Sequence, residues 1–317
     1  MKKRIISVLL ATVFALSVIG CGTKDTKEQD AYRQYGITCM ESGKYEDAVK
    51  AFQNALGESI GHIGEKELDI CFYKAKAQAL DGKTKDALAT YNAIIKYNKD
   101  ARAYYLRGDL YMDMGEEKKG RADFESAVQQ GKKNYEIYIG IYESLSRHEK
   151  KDEGQKYLSA AMEIKGDKPE DELYKGRISY LLGENKDAIS YLEKAKEHKQ
   201  MLASYYLGLA YDANGDSDKA KKCIAEYIKS GVATSYDLYE LGMQEMQDGN
   251  YKNALTYFNS GLELEKVPNK QNLMKSAIEA YEYSGDFDSA KKMMKEYLKA
   301  YPDDEEAKHE NTFLETR

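Results

Sequence analysis

From residue 32 onward the chain sets apolar residues at helical intervals and interrupts them at regular places with glycine. Tyr32, Tyr35 and Cys39 lie three and four residues apart, a spacing that predicts one face of an amphipathic helix. Gly36 falls within that face. A glycine inside a helix costs about 1 kcal/mol against alanine, so its recurrence there predicts a second helix crossing at close range. The second helix is predicted over about residues 45–56, where Ala48 and Ala55 make room and Phe52 fills the space beside them. Gly43 supplies the turn between the two, where a left-handed residue ends the first helix.

The same unit returns seven more times. Turn glycines recur at Gly82, Gly115, Gly183, Gly215, Gly249 and Gly285, with one repeat lacking its own. The small residues of the second helices keep the phase without a gap: Ala48, Ala87, Gly120, Gly154, Ala188, Ala220, Ala254 and Ala290. First-helix small residues follow as Gly36, Ala75, Gly108, Gly140, Gly176, Gly208 and Gly242, with Ala277 or Ile278 in the eighth. The repeats are predicted near 29–56, 68–97, 101–131, 133–166, 169–198, 201–231, 235–266 and 270–302. They run almost end to end, which predicts one elongated unit rather than separate domains.

Three stretches depart from the period. Residues 57–67 add a glycine-rich connector around His62, residues 146–153 replace the glycine turn with a longer charged one, and Pro268 separates the last two repeats. Pro302 ends the final second helix. Asp303 or Asp304 is then placed to cap a closing helix over 303–317, whose apolar edge is Ala307, Asn311 and Leu314.

This spacing of a large residue, a small one, an aromatic, a turn and an Ala-aromatic-Ala helix resembles the tetratricopeptide repeat. The resemblance covers residues 29–302 and implies an all-α, right-handed α-solenoid of about eight helix-turn-helix repeats. It implies a binding scaffold for a protein or peptide segment, with first helices lining a concave face. Carried over repeat by repeat, the contact positions are Arg33 and Ile37, then Phe72 and Lys76. The third repeat supplies Tyr105, Asp109 and Met112, and the fourth Ile137 and Ile141. Arg177 and Tyr180, Tyr205 and Asp212, and Tyr239, Met243 and Met246 complete the row. Such aromatic, methionine and arginine side chains are enriched where proteins meet partners. The family's carboxylate clamp for chaperone tails needs Lys and Asn one turn apart, and Arg33 and Ile37 do not supply it.

Residues 1–20 change the picture of where such a scaffold works. Lys2, Lys3 and Arg4 precede fifteen mostly apolar residues and a small Gly20, the layout of an export signal too short for a confident membrane span. Val18-Ile19-Gly20-Cys21 resembles a bacterial lipobox, which implies acylation of Cys21 and anchoring to the extracytoplasmic face of a cell membrane. Residues 21–28 carry no apolar period and read as a lipidated cysteine with a short tether. The formal charge of −6 becomes −9 without the three leader cations, which argues against nucleic acid.

No catalytic constellation is visible. His62, His148, His198 and His309 lack paired ligand spacing and are expected in solvent. Cys39, Cys71 and Cys223 form no CxxC motif and are expected as small buried residues. No cofactor, metal or enzymatic activity is expected. Two other functions stay open: capture of a peptide or polysaccharide ligand, and an enzyme with a site assembled across repeats.

Overall fold

The computed structural model describes residues 27–59, 63–166 and 168–317. The leader, Cys21, most of the tether and His62 lie outside the described residues. Among the described residues the chain forms seventeen α-helices and no strand. Eight pairs run in order. They begin with α1 (Lys27–Glu41) and α2 (Tyr45–Gly57), α3 (Glu65–Leu80) and α4 (Thr84–Asn98), and α5 (Ala101–Asp113) and α6 (Glu117–Gln130). Next come α7 (Tyr135–Arg147) and α8 (Lys151–Met162), α9 (Pro169–Leu182) and α10 (Asn185–Glu197), and α11 (Leu202–Ala213) and α12 (Ser217–Lys229). The last pairs are α13 (Ser235–Gln247) with α14 (Tyr251–Leu262) and α15 (Lys270–Ser284) with α16 (Phe287–Ala300), and α17 (Glu305–Glu315) closes the chain. Helix α1 begins at Lys27, so the last two residues assigned to the tether are helical.

The pairs belong to two compact units where the repeat pattern predicts one: residues up to Ser230, and Gly231–Arg317. Within each unit successive helices pack on one another. All seven predicted turn glycines adopt positive φ, between 69° and 85°. In the fourth repeat, which has no such glycine, Glu149 takes the left-handed conformation at φ 61°.

The small residue of each first helix is a crossing point. A Cβ on Gly36 would sit 2.6 Å from the Phe52 ring, and one on Gly108 would sit 2.9 Å from Phe124. Gly176, Gly208 and Gly242 meet Leu192, Ile224 and Phe258 in the same way. In each case the filling side chain lies sixteen residues further on, and Tyr91 holds that place opposite Ala75. The fourth repeat breaks the rule, because sixteen residues after Gly140 comes the exposed Lys156. There Tyr105 of the preceding repeat fills the space instead, with its ring carbon 2.6 Å from where a Gly140 Cβ would be.

One expectation is overturned at the start of the solenoid. Tyr32 and Tyr35 are 38% and 58% exposed, and α1 buries Gln29, Gly36 and Cys39 instead. Only one side of α1 has neighbours among the described residues, α2 and α3, so a face that later repeats cover from both sides is half covered here.

At the other end Asp304 caps α17, accepting from the Ala307 amide at 3.1 Å. Lys275 Nζ lies 2.7 Å from the same carboxylate, and the buried Tyr297 hydroxyl donates to it at 2.5 Å. These hydrogen bonds hold the Asp304 carboxyl well below the usual range. Glu282 of α15 is in the opposite situation. Partial burial, with Glu310 of α17 and Glu279 nearby, pushes its carboxyl up to about 7.

Gly242→Ala drives a methyl against Phe258 and is expected to lower the stability of the second unit by about 1–3 kcal/mol in urea unfolding. Adding Phe258→Leu should recover part of that loss; an unchanged midpoint for the single variant would show a looser crossing. Because the Glu282 pKa is raised on folding, its contribution is fully present below about 4.5 and lost as pH rises towards 7. Amide exchange in α17, corrected for intrinsic rates, should therefore be more protected at pH 5 than at pH 8, and Glu282→Gln should flatten the difference.

Candidate partner-binding face

The positions carried over from the family fall into three environments. In the middle of the first unit they are packing residues. Met112 is 2% exposed and its sulfur lies over Gly120, while Ile137 and Ile141 are buried in the cluster built by α5, α6 and α7. These three offer no surface, because they pack on Phe124 and Ala127 of α6 and Leu145 of α7. Tyr105 is half-buried, and its ring is committed to Gly140 and lies 6.3 Å from Phe124. Burial raises the Tyr105 phenol well above its ordinary value.

A second set is held by charge. Asp109 is buried, and Arg147 Nη2 donates to its Oδ1 at 2.5 Å across from the next first helix. Burial pushes the Asp109 carboxyl up, and Arg147 pulls the other way. Arg177 reaches back to the preceding first helix, donating to Glu143 at 3.0 Å and to Glu136 at 3.3 Å. Its guanidinium also lies 5.5 Å from the centre of the Tyr206 ring on the following one. Arg33 makes the same kind of link from α1 to α3, through Asp69 at 2.6 Å. These charges join repeats, so Asp109 and Arg177 are corrected from contact residues to ties between helices.

A third set keeps surface. Asp212 is exposed, Tyr180 is half-buried beside the α9–α12 cluster, and the half-buried Tyr205 ring meets Tyr206 and Tyr227 at 5.1 and 5.2 Å. On the first unit's opening repeats, Ile37, Phe72 and Lys76 are half-buried, and burial lowers the Lys76 ammonium pKa. In the second unit Tyr239, Met243 and Met246 are half-buried on α13. Tyr239 lies 6.2 Å from Phe258, and the Met243 sulfur accepts from Ser276 of α15 at 3.5 Å.

The residues the sequence did not single out are Arg147, Glu143, Asp113 and the role of His148. His148 is not free in solvent: its Nε2 lies 3.1 Å from Asp113 Oδ1. The signal available was the four-residue spacing of Asp109 and Asp113 together with the altered turn of the fourth repeat. No helix among the described residues is long and apolar enough to cross a membrane.

Sequence profiles of the tetratricopeptide repeat match residues 36–95, 74–135, 202–230 and 271–304, together just over half of the chain. The protein carries tetratricopeptide repeats. Solved structures align with the chain at low identity. A tetratricopeptide repeat protein from Parabacteroides merdae aligns over 80% of this chain and 99% of its own, at 12% identity and a TM-score of 0.47. The APC/C hetero-tetramer Cut9-Hcn1 aligns over 90% of this chain and 55% of its own, at 16% identity and 0.44. The type IV pilus biogenesis factor PilW aligns over 78% and 99%, at 16% identity and 0.43. No curated protein matches the chain in sequence.

With Arg147 removed, Asp109 is left as an uncompensated buried charge. Arg147→Met is expected to destabilise the first unit by about 3–5 kcal/mol at neutral pH, read as the first unit's transition in urea. The double variant Asp109→Leu, Arg147→Met should recover most of that, since it removes both charges; equal loss in both variants would refute the pairing.

Proposed function

We propose that this tetratricopeptide-repeat protein is a lipid-anchored scaffold on the extracytoplasmic face of a cell membrane, docking an extended protein or peptide segment of an envelope, export or surface-organising assembly. The fold is one built for protein interaction rather than catalysis. The observation that carries the docking reading is the face of α13. Tyr239, Met243 and Met246 keep part of their surface where the matching positions Met112, Ile137 and Ile141 keep none. Soft methionines beside an aromatic ring accommodate varied apolar side chains. Anchoring through Cys21, supported by the apolar leader before it, confines that face to the membrane surface and raises its effective concentration for membrane-bound partners.

The same reading carries its own tests. Metabolic palmitate labelling of cells should mark the wild type and not Cys21→Ser, which should leave the membrane fraction. In-cell crosslinking with mass spectrometry should then recover a protein partner from the wild type and lose it in Tyr239→Ala, Met243→Ala, with melting confirming that the variant folds. Unchanged crosslinks in the folded double variant would reject α13 as the docking face, and labelling that survives Cys21→Ser would reject the anchor.

A further inference from the structure

The altered turn of the fourth repeat brings His148 beside Asp113 and Asp109, the carboxylate that Arg147 already ties to α7. Asp109 and Asp113, four residues apart, present both carboxylates on one side of α5. His148 follows the last residue of α7 and reaches across to them, its ring held by a turn in which Glu149 is left-handed. One ligand atom from each of Asp109, Asp113 and His148 lies within 4.8 Å of the other two. Asp109 forms the buried floor, the His148 side chain is one-quarter exposed, and Asp113 opens to solvent.

We propose that Asp109, Asp113 and His148 bind a divalent transition-metal ion, zinc foremost, and that the ion clasps α5 to α7. Two carboxylates four apart on a helix with an imidazole from a neighbouring element supply three of the four positions of a tetrahedral zinc site. Water from the Asp113 side completes it. An imidazole among the ligands favours zinc over magnesium or calcium, which take oxygen alone. A second observation points the same way. The Ser144 hydroxyl, fully buried one turn before His148, faces the Asp109 carboxylate and favours its charged form. It is a buried donor next to a ligating oxygen, the place where metal sites carry the groups that orient their ligands.

Arg147 is the opposing feature. It bonds to one Asp109 oxygen and leaves the second, and ligating carboxylates are ordinarily held by such donors. With a neutral imidazole, two carboxylates and one guanidinium give the site one net negative charge, so a dication is attracted. The turns inside the other seven repeats carry a left-handed glycine and no histidine.

The test is titration of the purified, chelator-treated chain with zinc chloride, followed by calorimetry and by melting temperature. One equivalent should bind, and saturation at about a hundred times Kd should raise melting by several degrees. His148→Gln and Asp113→Asn, both near the surface, should each lower affinity at least tenfold, and Ser144→Ala should lower it about tenfold. Magnesium at the same concentration should not compete. Absence of zinc binding up to about 1 mM, equivalent to roughly 4 kcal/mol, overturns the site. So does binding that His148→Gln leaves unchanged, which puts the ion elsewhere.

Discussion

The structure rests on a single contact made again and again: a large side chain of one helix pressed against a residue without bulk on its partner. Phe52 on Gly36, Phe124 on Gly108 and Phe258 on Gly242 are the same event sixteen residues apart in each repeat. Burying an aromatic ring against bare backbone contributes apolar area and shape at once, and a crossing that close leaves no space for a Cβ. The recurrence of glycine at a helical site where propensity opposes it follows from that contact. Where the sequence drops the filler, as at Lys156, the molecule takes Tyr105 from the neighbouring repeat rather than leave the hole.

A second constraint acts between repeats. First helices in the first unit are tied by charged pairs running across them: Arg33 to Asp69, Arg147 to Asp109, Arg177 to Glu143. Each uses positions that a docking groove would need. Arginine suits the work, since its planar fork stays charged when partly buried and rests on rings such as Tyr206. The face in repeats three and four is therefore closed by its own packing and ion pairs, while α13 retains a half-open row of tyrosine and methionine.

This division bears on how such a protein meets a partner. A face that is uniform from repeat to repeat binds by repetition; one closed in some repeats and open in others offers separate patches. The exposed Tyr35 at the beginning, the α13 row in the second unit and the altered turn beside Asp113 are three such patches, each with different chemistry.

The sequence by itself determined the helices, the eight-fold period, the turn glycines and a capped last helix, with the cap left between Asp303 and Asp304. All of these depend on local spacing, propensity and backbone conformation, which neighbouring residues carry. It also determined which small residues mark the crossings, because glycine inside a helix has few other uses. Tertiary structure alone decided which side of each first helix is open. Ile141 and Met112 occupy the registers of Met243 and Met246, yet the first two are sealed and the other two are not, because Ile141 and Met112 sit in the core shared by α5, α6 and α7. The pairing of Asp109 with Arg147, and the approach of His148 to Asp113, likewise join residues thirty-five and more apart, at distances no periodicity encodes.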